Sequence, residues 1–228
     1  MNTRHLIKLL VIGMSVLLLY HSFEFQDLKE RRAQLHAQQF DAADYAQDIW
    51  INHLPGVFNQ AHDAKTLITL FNTDMDTAIK QGNTLGESRS HAYLLQGLGT
   101  VVGQDEKGLW LSVADPADRP EILLRTGRFI SGNAVRDASG LVDVSAFTET
   151  MKFNRVSSEI NKIVVKEVIT PFLTKALPAG QRLTFIGAAE VAEDATEQTR
   201  FGAVIPGTGS SRSYFLLPVV PIRIAIVE

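Results

Sequence analysis

The polar residues best placed to do chemistry are Asn133, Arg136 and Asp137, within the stretch GRFISGNAVRDASG at 127–140. An arginine presents a planar fork that fits a carboxylate or a phosphate, and a neighbouring amide and acid can orient a sugar hydroxyl or a partner's backbone. The same three residues also suit a structural role. Arg136 would then tie the loop to a nearby carboxylate, and Asp137 would accept from the backbone of the turn that follows. Gly127 and Gly132 have the spacing of a phosphate-binding loop, yet Asn133 stands where such a loop carries lysine and Ala134 where it carries a hydroxyl. The glycines, with Ser131, therefore read as turn formers.

A second candidate is the segment 192–213 and its flank. It holds Arg200, Phe201, the biased run GTGSSRS with Arg212, and then Tyr214, so it is slightly basic and aromatic at its ends. Long loops of this composition are functional or disordered. Catalytic layouts find no support: there is no G-x-S-x-G elbow, no H-E-x-x-H and no cysteine. No catalytic residue and no cofactor is assigned. The six histidines form no i, i+4 pair and read as surface groups, so a metal site would have to be assembled from distant residues. Tyr45 and Trp50 read either as an aromatic ligand face or, with Phe40 before a capping Asp41, as a hydrophobic staple and core.

These residues need a scaffold. FDAADYAQDIWINHLP predicts a helix capped by Asp41 and ended at Pro55. A second helix follows Asp63, with Leu67, Ile68, Leu70 and Phe71 inward, and a third runs from Thr73 or Asp74 to Gly82, before the loop GNTLGESRS. From residue 92 the runs AYLLQGLGTVV, GLWLSVA and EILLR, separated by QDEKG and DPADRP, predict three antiparallel strands. Apolar residues from Phe147 to Val168 then recur at helical spacing, with Ser145 and Ser157 as expected caps and Pro171 as a kink or end. QRLTFIGAAEVA and YFLLPVVPIRIAIV return to strand, where Pro218 and Pro221 suit an edge or a strand's start. Three strands, a helix and two strands is the order of the OB-fold, a five-stranded Greek-key barrel. The expected class is α+β: helices at 40–82, then an OB-like antiparallel barrel at 92–228 with a helix between its third and fourth strands. A sandwich can be cut from the same elements.

The amino terminus predicts location. Arg4 and Lys8 precede an apolar stretch that extends from Leu6 to Phe25 without a small-x-small cleavage triplet, which reads as an uncleaved signal anchor at 1–25. Its length, about 20 residues, matches a membrane-crossing helix. Residues 26–39 read as a polar helical stalk, and 40–228 as one domain facing the periplasm from the bacterial inner membrane. The 228 residues are 45% hydrophobic with a formal net charge of -3, which offers no basic field for nucleic acid.

FDAADYAQDIW with Leu54 and Pro55, GRFISGNAVRDA, FTETMKFNRVSSEIN and GQRLTFIGAAE resemble, in order and spacing, a bacterial family of predicted periplasmic lipoproteins, domain of unknown function 2291. The resemblance covers most of 40–190. It implies an exported, membrane-tethered domain without a known activity, from a family often encoded beside sugar-type ABC transporters. A transporter component or its solute-binding protein is the partner this implies. The expected function is a noncatalytic accessory protein, or else a saccharide-binding module or enzyme using the 131–137 and 192–213 loops. Typical members carry a lipidated cysteine after the apolar run. This chain has none, so its anchor would be the helix itself.

Overall fold

The computed structural model describes Met14 and residues 40–173, 177–193, 200–201 and 214–227. Apart from Met14, the expected anchor at 1–25 and the stalk at 26–39 lie outside the described residues. Among the described residues no helix is long and apolar enough to cross a membrane. Residues 41–228 form one compact unit.

Side-chain caps start the first helices. The Asp41 carboxylate accepts from the N–H groups of Ala43 and Asp44 at 2.8 and 3.3 Å and opens α1, Ala42–Asp48. The chain then widens into a π turn, Ile49–His53, and tightens into a 3-10 turn, Leu54–Gln60, with Pro55 in its first turn, where a missing N–H costs nothing. After a short strand, β1 (His62–Asp63), Asp63 accepts from both the N–H and the hydroxyl of Thr66 and opens α2, Ala64–Thr73. Ala64, Leu67, Ile68 and Phe71 form its buried stripe. Asp74 caps α3, Met75–Lys80, through Thr77, whose hydroxyl first and N–H second hold the carboxyl below its ordinary pKa.

The loop expected at 82–90 contains a small strand, β2 (Asn83–Thr84), and leads into β3, Ser90–Asp105. Then come β4 (Gly108–Ser112) and β5 (Ile122–Leu124). The helical passage holds α4 (Ala134–Ser139) and α5 (Thr150–Ile163), which widens into a π segment, Val164–Ile169, and ends as α6, Thr170–Leu173. The sheet resumes with β6 (Arg182–Ala192), a hairpin of β7 (Arg200–Phe201) and β8 (Tyr214–Phe215), and β9, Leu217–Ile226.

Five strands pair in a ring: β3 with β4, β4 with β5, β5 with β9, β9 with β6, and β6 back to β3. The β5–β9 pair is parallel and the other four are antiparallel, which corrects the all-antiparallel expectation. The reason is arithmetic, since directions cannot alternate around an odd ring. β3 serves two neighbours by length, pairing with β6 over 90–100 and with β4 over 100–105, with a bulge between Val101 and Gly103. Pro218 sits at the start of β9 opposite Leu123. Pro221 lies past β5, where the β6 register shifts between Ile186 and Gly187, so neither ring breaks a two-sided ladder.

Leu95, Leu109, Leu111, Ile122, Leu124, Leu183, Leu217 and Val219 fill the space inside these strands, all at most 1% exposed. α2 and α3 cover one end. Phe71 stacks on Phe215 at 4.5 Å and meets Tyr93 edge-on at 5.4 Å, and the Tyr93 hydroxyl donates to the carbonyls of Ala78 and Ile79 at the end of α3. Burial pushes the Tyr93 phenol pKa up.

Candidate functional site

The stretch GRFISGNAVRDASG is more than a turn. Its second half is α4, which begins after Asn133 and stops at Gly140, where φ of +64° permits the left-handed cap. Ala134, Val135 and Ala138 are buried. Opposite runs α5, whose Phe153, Val156, Ile160 and Ile163 face inward. The expected caps are corrected here. Asp143 caps a 3-10 turn at Val144–Ala146 by accepting from Ser145 N–H at 2.8 Å, so Ser145 is capped rather than capping, and the helix starts after Glu149. The same contact holds the Asp143 carboxyl below its ordinary pKa. Ser157 lies in the middle of α5 and is buried.

Arg136 is the tie between the two helices. It is 2% exposed; its Nε donates to Asp137 Oδ1 at 2.6 Å, its Nη1 to the Phe153 carbonyl and to Asn154 Oδ1 at 3.3 Å each, and its guanidinium lies 3.6 Å over the Phe153 ring. The fork is thus engaged within the fold and is not offered to a partner. Asp137 pairs with Arg136 instead of accepting from the turn after it. A second tie runs from Asn161 Nδ2 to the Gly132 carbonyl at 2.9 Å, and Arg125 Nη1 holds the Ser131 carbonyl at 3.3 Å. Gly132 has φ of +100°, a conformation side-chain-bearing residues rarely adopt, so the loop can bend there toward α5.

Between this loop and α5 runs an open groove of about 760 Å³. Phe129, 79% exposed, stands on its loop side. Asn133, Asn154, Ser157 and Asn161 line it with amides and a hydroxyl. Ser157 is 4% exposed, and its Oγ has no hydrogen-bond partner among the described residues. A buried hydroxyl left unpaired costs free energy, as do the His91 Nδ1 and Trp110 Nε1, which are likewise unpaired among the described residues; of the three, only Ser157 belongs to a residue that lines the groove. No carboxylate and no imidazole lines the groove among the described residues.

The far end is shaped by Pro171. Proline has no N–H and its ring clashes with the carbonyl four residues back, so α geometry fails there and the chain widens into the π segment. Thr170 closes the defect by donating its N–H and its hydroxyl to the Val165 carbonyl, the latter at 2.7 Å. Val165, Lys166 and Thr170 thereby reach the groove. This π segment also meets the one after α1, where Trp50 Nε1 donates to Glu167 Oε2 at 2.9 Å. Tyr45 packs edge-on against Phe147 at 5.7 Å. The pair expected either as ligand face or as core is therefore engaged in packing.

Of the sequence candidates, Asn133 lines the groove, Arg136 and Asp137 lie behind it, and Arg200, Phe201 and Tyr214 belong to the β7–β8 hairpin, whose β8 lies against α2. Arg212, with 202–213, lies outside the described residues. Ser157, Asn154, Asn161 and Phe129 were not singled out for binding from sequence, although Asn154, Ser157 and Asn161 at i, i+3 and i+7 share one helix face. Two other buried polar residues lie elsewhere, and of these only Glu121 is fully paired, since the His91 Nδ1 has no partner among the described residues. Glu121 accepts from Ser112 Oγ and Val113 N–H and pairs with Arg119. His91 is 7% exposed against Glu193 at 3.1 Å, a correction to its reading as a surface group. Among the described residues no cluster of potential ligands could hold a metal ion.

A crystal structure of an OB-fold protein from Thermotoga maritima is similar to this chain at 23% identity and a TM-score of 0.67, covering 83% of this chain and 100% of that one. The likeness concerns the fold alone. No curated protein matches the sequence. The family model described as "Predicted periplasmic lipoprotein (DUF2291)" matches residues 14–208, a span that contains both the loop and the helix that form the groove. The chain belongs to this family of predicted periplasmic lipoproteins.

Proposed function

We propose that the protein is a noncatalytic binding module of the bacterial envelope whose groove holds a polyhydroxylated small molecule of the saccharide class. The observation that carries this reading is the buried Ser157 Oγ, unpaired among the described residues, on a residue that lines the groove beside the amides of Asn133, Asn154 and Asn161. Sugar hydroxyls both donate and accept, and so do carboxamides, which makes Asn133 and the free donors of Asn154 suitable partners. Phe129 offers an exposed apolar ring against which the C–H face of a sugar can lie. The absence of carboxylate and imidazole from the lining favours holding over acid–base chemistry. The test is calorimetric titration of the full-length chain with a panel of hexoses and pentoses. Binding that weakens in Ser157→Ala and Phe129→Ala supports the reading, and a flat response across the panel would sink it.

A second reading, the accessory role beside a sugar-type ABC transporter or its solute-binding protein, is favoured by the family's periplasmic, membrane-associated character. Anchoring through residues 1–25 is part of that reading. Crosslinking in native membranes with the tagged full-length chain tests it. Phe129→Ala is the informative control, since replacing the buried Arg136 would disturb the fold. Recovery of transporter components in the wild type supports the role, and recovery of the protein alone counts against it.

A further inference from the structure

The groove is charged asymmetrically. Arg128, Lys162 and Lys166 line it without a lining carboxylate, on a chain whose formal net charge is -3. Lys162 is held by Glu159 at 2.8 Å. Arg128 and Lys166 are exposed and have no ion pair or hydrogen bond among the described residues. Two acids lie close by. Glu167, beside Lys166 in sequence, accepts from Trp50 on another element, and Glu190 approaches Gly132, its Oε2 3.9 Å from where a Cβ on that glycine would stand. Neither of them lines the groove or pairs with the two free cations.

We propose, resting on the binding reading above, that the ligand is an anionic sugar: a saccharide whose carboxylate or phosphate is met by Arg128 and Lys166 while its hydroxyls meet Asn133, Asn154 and Ser157. The residues divide the work by chemistry. Amides and a hydroxyl meet the hydroxyls of a neutral hexose and of its acid alike, whereas a guanidinium and an ammonium with no partner among the described residues gain most from the anion itself. The buried Ser157 Oγ makes a bare anion an incomplete ligand, because a small ion held at the exposed cations leaves that hydroxyl unpaired.

The experiment titrates the full-length chain with gluco, galacto and manno hexoses, the corresponding hexuronates and the hexose 6-phosphates, and with acetate and inorganic phosphate alone. At low and at physiological salt, one acidic member is expected to bind about tenfold tighter than its neutral parent, the effect of one charge-assisted contact. The advantage should shrink with salt. In the Arg128→Gln, Lys166→Gln double variant the preference should fall to within about twofold, with affinity for the neutral sugar unchanged. Hexuronates against hexose phosphates decides which anion is read. Equal binding of neutral and acidic sugars would overturn the proposal and leave the saccharide reading standing, as would a preference that survives in the double variant. Acetate or phosphate binding as tightly as the acidic sugars would reduce the site to an anion patch. Silence from every compound would reject both readings.

Discussion

Ser157→Ala separates a binding hydroxyl from a structural one. In the free protein the Ser157 Oγ is buried without a partner among the described residues, so the serine carries a desolvation cost with no hydrogen bond to offset it. Alanine removes that group and is the better helix former in the middle of α5. The two effects together should stabilise the fold by about 1 kcal/mol, the low end of the cost of an unpaired buried polar group. For a domain of this size that is a rise in Tm of about 2–4 °C. Binding changes in the opposite direction, because the variant lacks one hydrogen bond to the sugar and should bind about fivefold more weakly, enough to cancel the gain in stability when the ligand is saturating. The assay is paired: urea unfolding of the free chain, and calorimetric titration with the best ligand of the panel. A variant destabilised by more than about 1 kcal/mol would refute the reasoning, since it would mean that Oγ has a structural partner in solution. Raised stability with unchanged affinity would refute the placement of the ligand on α5.

The remaining predictions concern the frame. Arg136→Ala strips the cover from Phe153, leaves the Phe153 carbonyl without its donor and leaves Asp137 without its cation; a loss of about 3–5 kcal/mol is expected in urea unfolding. Arg136→Lys should lose less, as it keeps charge without the fork. Tyr93→Phe removes the hydroxyl that ties β3 to the end of α3 and should cost about 1 kcal/mol. Because the folded Tyr93 pKa is raised, its contribution is complete below the unfolded value near 10 and is lost as pH climbs above it. Wild type should therefore lose stability more steeply than Tyr93→Phe above about pH 10 in pH-dependent melts. Gly187→Ala would put a Cβ 2.8 Å from the Val220 carbonyl oxygen where β6 bends past Pro221, and about 1–3 kcal/mol of destabilisation is expected by the same unfolding measurement.

The sheet and the caps were legible in the sequence because both rest on local chemistry. Asp41 accepts from the backbone as expected of a cap, and Asp63 and Asp74, which stand where the second helix and, with Thr73 as the alternative, the third were expected to begin, do the same. The turn expected at QDEKG is made by Glu106 and Lys107 between β3 and β4, with its outer residues paired in the strands, and DPADRP falls between β4 and β5. What could not be read was whatever depends on two distant segments meeting. Ser157 has the residue type of a cap, and only the packing of α5 shows that it is buried within the helix. Arg136 looks like an offered fork until Phe153 and Asn154, 17 and 18 residues on, take it up. The small helix α4 escaped notice because its six residues are too few for a period to show.

The way the groove is held explains why its polar wall can stay unsatisfied. Arg136 fastens α4 to α5 near Phe153, and Asn161 fastens the Gly132 carbonyl two turns further along the same helix. Ser157 lies between these two ties in sequence, one turn from each, so the loop is fixed against the helix on either side of it. A flexible loop would collapse onto the free hydroxyl and satisfy it. A loop pinned at both places keeps the space open, and the cost of the unpaired Oγ is borne by the Arg136 and Asn161 contacts. Loosening one tie should therefore harm binding by letting the loop move against α5. Asn161→Ala frees the Gly132 carbonyl and also removes one amide of the lining, so it should lower affinity for the best sugar about tenfold while costing about 1 kcal/mol of stability. If affinity falls no further than stability does, the groove owes its shape to the helices and not to the ties.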